Sequence, residues 1–110
     1  MKKDDNLLTH MLEDISDIVD YTKDVHFETF VSNTMLRKAV CMSLINIGEL
    51  AKALSSEFKT LHKEIPWKNI SGLRDITVHK YHNLNLDIIW SVVQNDIPIL
   101  EKFIKKTLNK

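Results

Sequence analysis

Apolar residues recur at three- and four-residue steps through most of this chain, and the strict alternation of a half-buried strand persists nowhere. From Asp5 to about Asp24, Leu8, Met11, Leu12, Ile15, Val19 and Thr22 form one stripe against an acidic back, which predicts a first amphipathic helix. Residues 25–33, holding Phe27, Phe30 and Val31, read as a connection or short turn. Ser32 or Asn33 can cap a second helix, which carries Leu36, Val40, Leu44, Ile47, Ala51 and Leu54 along one side. Cys41, Ile45 and Leu50 add apolar residues elsewhere around it, so this helix is expected to be central and buried on two faces. Residues 59–65 lead to a third helix with Pro66 in its first turn, where a missing N–H costs nothing. Asn83 or Asn85 stops that helix and caps a fourth, which runs to about Leu108 and is kinked or interrupted by Pro98. The expectation is all-α: an up-and-down bundle of four main helices in a single domain over residues 1–110.

Composition sharpens this picture in three respects. Only two Gly and two Pro leave little turn chemistry, which favours helices with short connections. The lone Cys41 excludes an internal disulfide and a Cys-rich metal site, and it points to a reducing compartment. With no apolar run long enough to span a bilayer and no signal-peptide core after Met1, the expected location is the cytoplasm, with no membrane partner. Helices two and four are apolar on more than one face, more than a four-helix monomer can cover, so a homodimer is expected.

Net charge is zero, which argues against a protein that grips nucleic acid over its whole surface. Charge is unevenly spread, however. Residues 1–30 hold eight acidic and three basic side chains, whereas 59–82 hold five basic, two acidic and three His, and 99–110 add four Lys against one Glu. A basic middle and tail can make a local phosphate-attracting patch, or they can be ordinary solvated helix faces.

The candidate chemistry lies in Arg74-Asp75-Ile76-Thr77-Val78-His79-Lys80-Tyr81. Arg offers a planar fork of donors suited to phosphate oxygens, and His exchanges a proton near neutral pH. The two suffice to cleave RNA without a metal or cofactor, since the 2′-hydroxyl is a built-in nucleophile. On a straight helix five residues turn the chain through roughly 140°, so Arg74 and His79 do not share a face. Either the helix loosens before His79, or the reacting pair converges across two subunits. Asp75 lies four residues before His79 and can raise its basicity, while His82 completes an Asp-x-x-x-His-x-x-His spacing that is a rival metal reading without a fourth ligand. In the second helix Gly48 lets another helix approach closely, and Glu49 can reach Arg74 and orient it or simply face solvent. Asn46 on the other side of Gly48 needs a partner if buried. Trp67 and Trp90 read as core anchors, with base stacking as the alternative, and Tyr81 reads on its own as a core-edge aromatic.

Arg, four residues, His, one residue, Tyr, falling on Arg74, His79 and Tyr81, resembles the signature of the HepT-like ribonucleases of the HEPN superfamily. The resemblance extends to Asn46-Ile47-Gly48-Glu49, to Ile65-Pro66-Trp67 and to the apolar helix after the motif, about two-thirds of the chain. It departs at Asp75, where many members of the family carry Asn, and a carboxylate there lowers the local positive potential. The resemblance implies a toxin of a type VII toxin–antitoxin system, an endoribonuclease acting on an RNA substrate. It implies a cleft at the two-fold axis of a homodimer, with Arg74 and His79 catalytic and Glu49 supporting, and the reading of the residues themselves adds Asp75 and Asn46 as supporting residues. It further implies a small, MntA-like nucleotidyltransferase antitoxin that silences the toxin by adding AMP to Tyr81. The alternative is a non-catalytic helical module of the same superfamily that binds a nucleotidyltransferase partner.

Overall fold

The computed structural model describes residues 2–75 and 85–109. His79, Tyr81, His82 and Asn83, and the expected passage of the third helix through the motif, lie outside the described residues.

Helix α1 spans Lys2–Thr22, with Asp4 and Asp5 at its positive N-terminal end. It buries Leu8, Met11, Ile15 and Ile18, whereas Val19, expected on the stripe, is 40% exposed. At 3.6 residues per turn both 18 and 19 continue from Ile15, and packing against the neighbouring helix selects Ile18. Asp24 then takes a left-handed conformation (φ 58°), ending the run. The expected connection over 25–33 contains a short helix, α2 (Phe27–Ser32), because Phe30 has a place to bury: its ring lies 4.9 Å from that of Trp90.

Helix α3 (Thr34–Ala53) is capped by Asn33, whose side chain accepts from the Leu36 N–H at 3.0 Å. As expected it is central. Val40, Leu44, Ile47 and Ala51 are fully buried, with Cys41, Ser43 and Gly48 also enclosed. Ser55 caps α4 (Ser56–Leu61), a helix the sequence reading did not anticipate. The Ser55 N–H and Oγ–H both donate to the buried Asp4 carboxylate, at 2.9 and 2.7 Å, fastening the start of α1 to the end of α3.

Helix α5 (Trp67–Ser71) begins after Pro66, which stands at the N-cap rather than inside the first turn. The long third helix expected from Pro66 onward is instead broken early. Gly72, a poor helix former, closes α5, and residues 73–75 resume as a helical turn. Trp67 is buried, donating its indole N–H to the His62 carbonyl at 2.9 Å and packing on Phe58 and Phe103. Trp67 is therefore a core residue, and the half-buried Trp90 packs against the core through Phe27 and Phe30.

Asn85 caps α6 (Leu86–Ser91), accepting from the N–H groups of Asp87 and Ile88. A π-helical turn over Val92–Asp96 joins it to α7 (Ile97–Leu108). Pro98 explains the interruption. It has no N–H to give, and its ring crowds the carbonyl four residues back, at Gln94 inside the π turn. Helix α3 is the hub: α1 and α5 pack against it, and α7 packs along α1. Among the described residues the long helices are α1, α3 and the α6–α7 run, in an all-helical bundle. No helix among them is long and apolar enough to cross a membrane.

Candidate functional site

The site is organised by the crossing of α5 over α3. A Cβ added at Gly48 would stand 2.7 Å from the Arg74 backbone N, 3.1 Å from the Ser71 carbonyl oxygen and 3.2 Å from the Arg74 Cβ. Only glycine permits that approach. The contact brings the Arg74 backbone directly against α3, one residue from Glu49.

Two carboxylates then hold the guanidinium. Glu49 Oε1 accepts from Arg74 Nη1 at 3.2 Å, and Asp75 Oδ1 accepts from Arg74 Nε at 3.3 Å. Of the five N–H donors on the fork, two are engaged in these bonds, leaving the Nη2 pair and the second Nη1 proton to meet a ligand. The Arg74 side chain is 33% exposed, so it is reachable from solvent. The three groups sum to one negative charge, so a phosphate arriving here draws on further cations. Lys52, one helical turn beyond Glu49 on α3, and Lys68 on α5 are both exposed.

Asn46 does not join this cluster. Its Nδ2 donates to Asp14 Oδ1 on α1 at 3.4 Å, so among the described residues it supports the α1–α3 contact rather than Arg74. Burial pushes the Asp14 carboxyl above the ordinary carboxylate range, with the Asn46 hydrogen bond pulling the other way and Asp17 and Glu13 adding repulsion. Asp14 was missed in the sequence because it lies on the acidic side of α1, where its neighbours face solvent. Asp75 was expected to reach His79; its described partner is Arg74, and His79 lies outside the described residues. Burial raises the Cys41 thiol above its ordinary value, which removes it as a ready nucleophile. Among the described residues no three His, Cys, Asp or Glu side chains are grouped to hold a metal ion. The Asp75, His79, His82 spacing falls mostly outside them.

Beside the Arg74 turn runs an open groove of about 410 Å³, lined by α5, Gly72 and Leu73 on one side and by Val92 and Asp96 of the π turn on the other.

Comparison with known proteins agrees with the motif. The sequence pattern of the family described as "Ribonuclease HepT-like" matches residues 11–107. A candidate RNase of Caldanaerobacter subterraneus is 39% identical over 110 residues, the whole of this chain and 98% of that protein. A candidate ribonuclease HepT of Thermococcus cleftensis is 35% identical over 94 residues, 82% of this chain and 86% of its own. The mRNA nuclease HepT of Shewanella oneidensis is 51% identical over a shorter stretch of 37 residues, 34% of this chain and 28% of that one. No solved structure matches. A family pattern that takes in all but the ends of the chain, and a relative matched from end to end, place this helical protein in the HepT-like ribonuclease family.

Proposed function

We propose that this chain is a metal-independent endoribonuclease in which Arg74 holds the scissile phosphate and His79 moves the proton. The observation that carries the reading is the seat of Arg74. A glycine contact and two carboxylates fix a solvent-reachable guanidinium five residues before the only His of the motif spaced from it as the family requires. In the reaction His79 takes the proton of the 2′-hydroxyl, the 2′-oxygen forms a bond to phosphorus, and the bond from phosphorus to the 5′-oxygen breaks. The leaving oxygen collects a proton from an acid, and the products are a 2′,3′-cyclic phosphate and a 5′-hydroxyl. Arg74 stabilises charge on the equatorial oxygens during the step. Glu49 acts as a positioning residue through Arg74, and Asp75 shares that role.

The assembly belongs to the same proposal. Met35, Met42 and Ile88 are large apolar side chains left 82%, 58% and 52% exposed on the single chain, and a second copy of the chain covers them. A homodimer also lets Arg74 and His79 of different copies share one cleft. As a toxin, the protein is silenced by a nucleotidyltransferase antitoxin that adds AMP to Tyr81, placing a bulky anion where the RNA phosphate must sit.

The test is cleavage of RNA in excess EDTA with analysis of the ends. Wild type is expected to leave cyclic phosphates, and Arg74→Ala and His79→Ala each to lose about a hundredfold or more in rate. Wild-type rates in both variants would move the active centre elsewhere, and activity restored by zinc or manganese would favour Asp75, His79 and His82 as ligands. The net negative charge of the Arg74, Glu49 and Asp75 cluster favours a second reading, a non-catalytic module that binds a nucleotidyltransferase. Expression without a partner separates the two, because only the nuclease is toxic alone.

A further inference from the structure

We propose that the groove between α5 and the π turn binds a guanine base of the substrate RNA beside the cleaved phosphate, an inference that rests on the ribonuclease reading. The groove adjoins the reacting centre by chain continuity: Gly72 and Leu73 line it, and Arg74 follows immediately. Its apolar wall is the exposed Pro66 ring together with the small part of Ile70, Leu73 and Val92 that the core leaves uncovered, all held in place by packing and so able to meet the face of a flat ring. Its polar groups are Lys68, Asn69 and Asp96, all exposed. Asp96 is the last residue of the π turn within the continuous α6–α7 run, its side chain makes no capping hydrogen bond, and among the described residues neither it nor Lys68 is in an ion pair. The π turn is what brings Asp96 to the groove, since an inserted residue redirects the side chains that follow it.

The hydrogen-bonding inventory selects the base. A carboxylate only accepts. Among the four RNA bases guanine alone presents two adjacent donors, N1–H and the 2-amino group, which one carboxylate meets as a pair. Its O6 acceptor beside them suits the Asn69 amide or the Lys68 ammonium. Adenine and cytosine each set a ring-nitrogen acceptor beside the amino donor, and uracil flanks its single donor with two carbonyls, so each turns at least one acceptor toward the Asp96 carboxylate.

The experiment is a titration of the full chain with the four nucleoside 3′-monophosphates, followed by NMR at the Asn69 side-chain amide and the Gly72 backbone amide, with RNA cleavage measured in parallel. The guanine nucleotide is expected to shift both signals and to bind about tenfold tighter than the other three. Asp96→Asn is expected to erase that difference, whereas Glu57→Gln, an exposed carboxylate on α4, keeps it. Equal affinity for all four nucleotides, or an undiminished guanine preference in Asp96→Asn, overturns the proposal. So do shifts at Gly72 that follow protein concentration without nucleotide, because they assign the groove to a second copy of the chain. RNA cleavage without any guanine preference sinks the groove and leaves the ribonuclease reading standing. Guanine binding by a chain that cuts no RNA supports the groove and removes the ribonuclease reading.

Discussion

Gly48 shows how a single residue sets the site. Replacing it with Ala gains about 1 kcal/mol of helix propensity, but the new methyl group meets backbone atoms of Arg74 and Ser71 that no side-chain rotation relieves. Overpacking of this kind costs about 1–3 kcal/mol, so a net loss of stability is expected for Gly48→Ala in urea denaturation, together with a fall in RNA cleavage as Arg74 is displaced. An unchanged urea midpoint would mean that α5 yields freely. Glu49→Gln tests a different property. The ion pair is part exposed, 33% on Arg74 and 56% on Glu49, so stability should change by less than about 1 kcal/mol. Cleavage should nevertheless drop while Glu49→Asp recovers part of it, because the loss is in the aim of the guanidinium. A cleavage rate untouched by Glu49→Gln removes the positioning role.

At the scale of elements, Asp4 ties three of them together. Burial alone raises a carboxyl pKa, yet here the backbone N–H and hydroxyl of Ser55 outweigh it and hold Asp4 below the ordinary value of 3.8. The sign follows from linkage: the folded chain binds this proton less readily than the unfolded one, so the stabilisation is fully present above 3.8 and is lost as pH falls through the lowered folded value. Acid unfolding of Asp4→Asn should therefore be shallower than wild type in that window, and its stability at pH 7 lower by about 1–3 kcal/mol, because Asn cannot serve both Ser55 donors as a carboxylate does. Parallel acid curves for the two proteins would show that other carboxylates dominate. The end of the bundle thus depends on a residue that the apolar pattern of α1 does not mark.

For the whole molecule the decisive quantity is its mass in solution. Two copies of the 12.8 kDa chain are expected by light scattering at micromolar concentration. Met42 is 58% exposed on α3, two helical turns before Glu49, so Met42→Lys should shift the population toward monomer and lower cleavage in the same proportion. A wild-type monomer that cuts RNA at full rate would end the composite-site reading. The bundle itself should survive Met42→Lys, since that side chain lies outside the buried core.

The all-helical class, the central place of α3 and the disturbance at Pro98 were legible in the sequence, and the caps were narrowed to Ser32 or Asn33 and to Asn83 or Asn85, because each is governed by local periodicity, hydrogen-bonding capacity or the missing N–H of proline. The Gly48-Glu49 and Arg74 text was legible too, as a pattern of residue types. What no pattern could supply was distance between segments remote in the chain. Ser55 meets Asp4 across 51 positions and Asn46 turns to Asp14 across 32, whereas the Glu49–Arg74 pair, 25 apart, was one of the two readings the sequence left open for Glu49. Those pairings are chosen by which helix packs against which, and so is Ile18 over Val19 on α1. Local sequence sets what each segment is able to form; the crossing of α5 over α3, permitted by one absent Cβ, decides which of its polar groups meet.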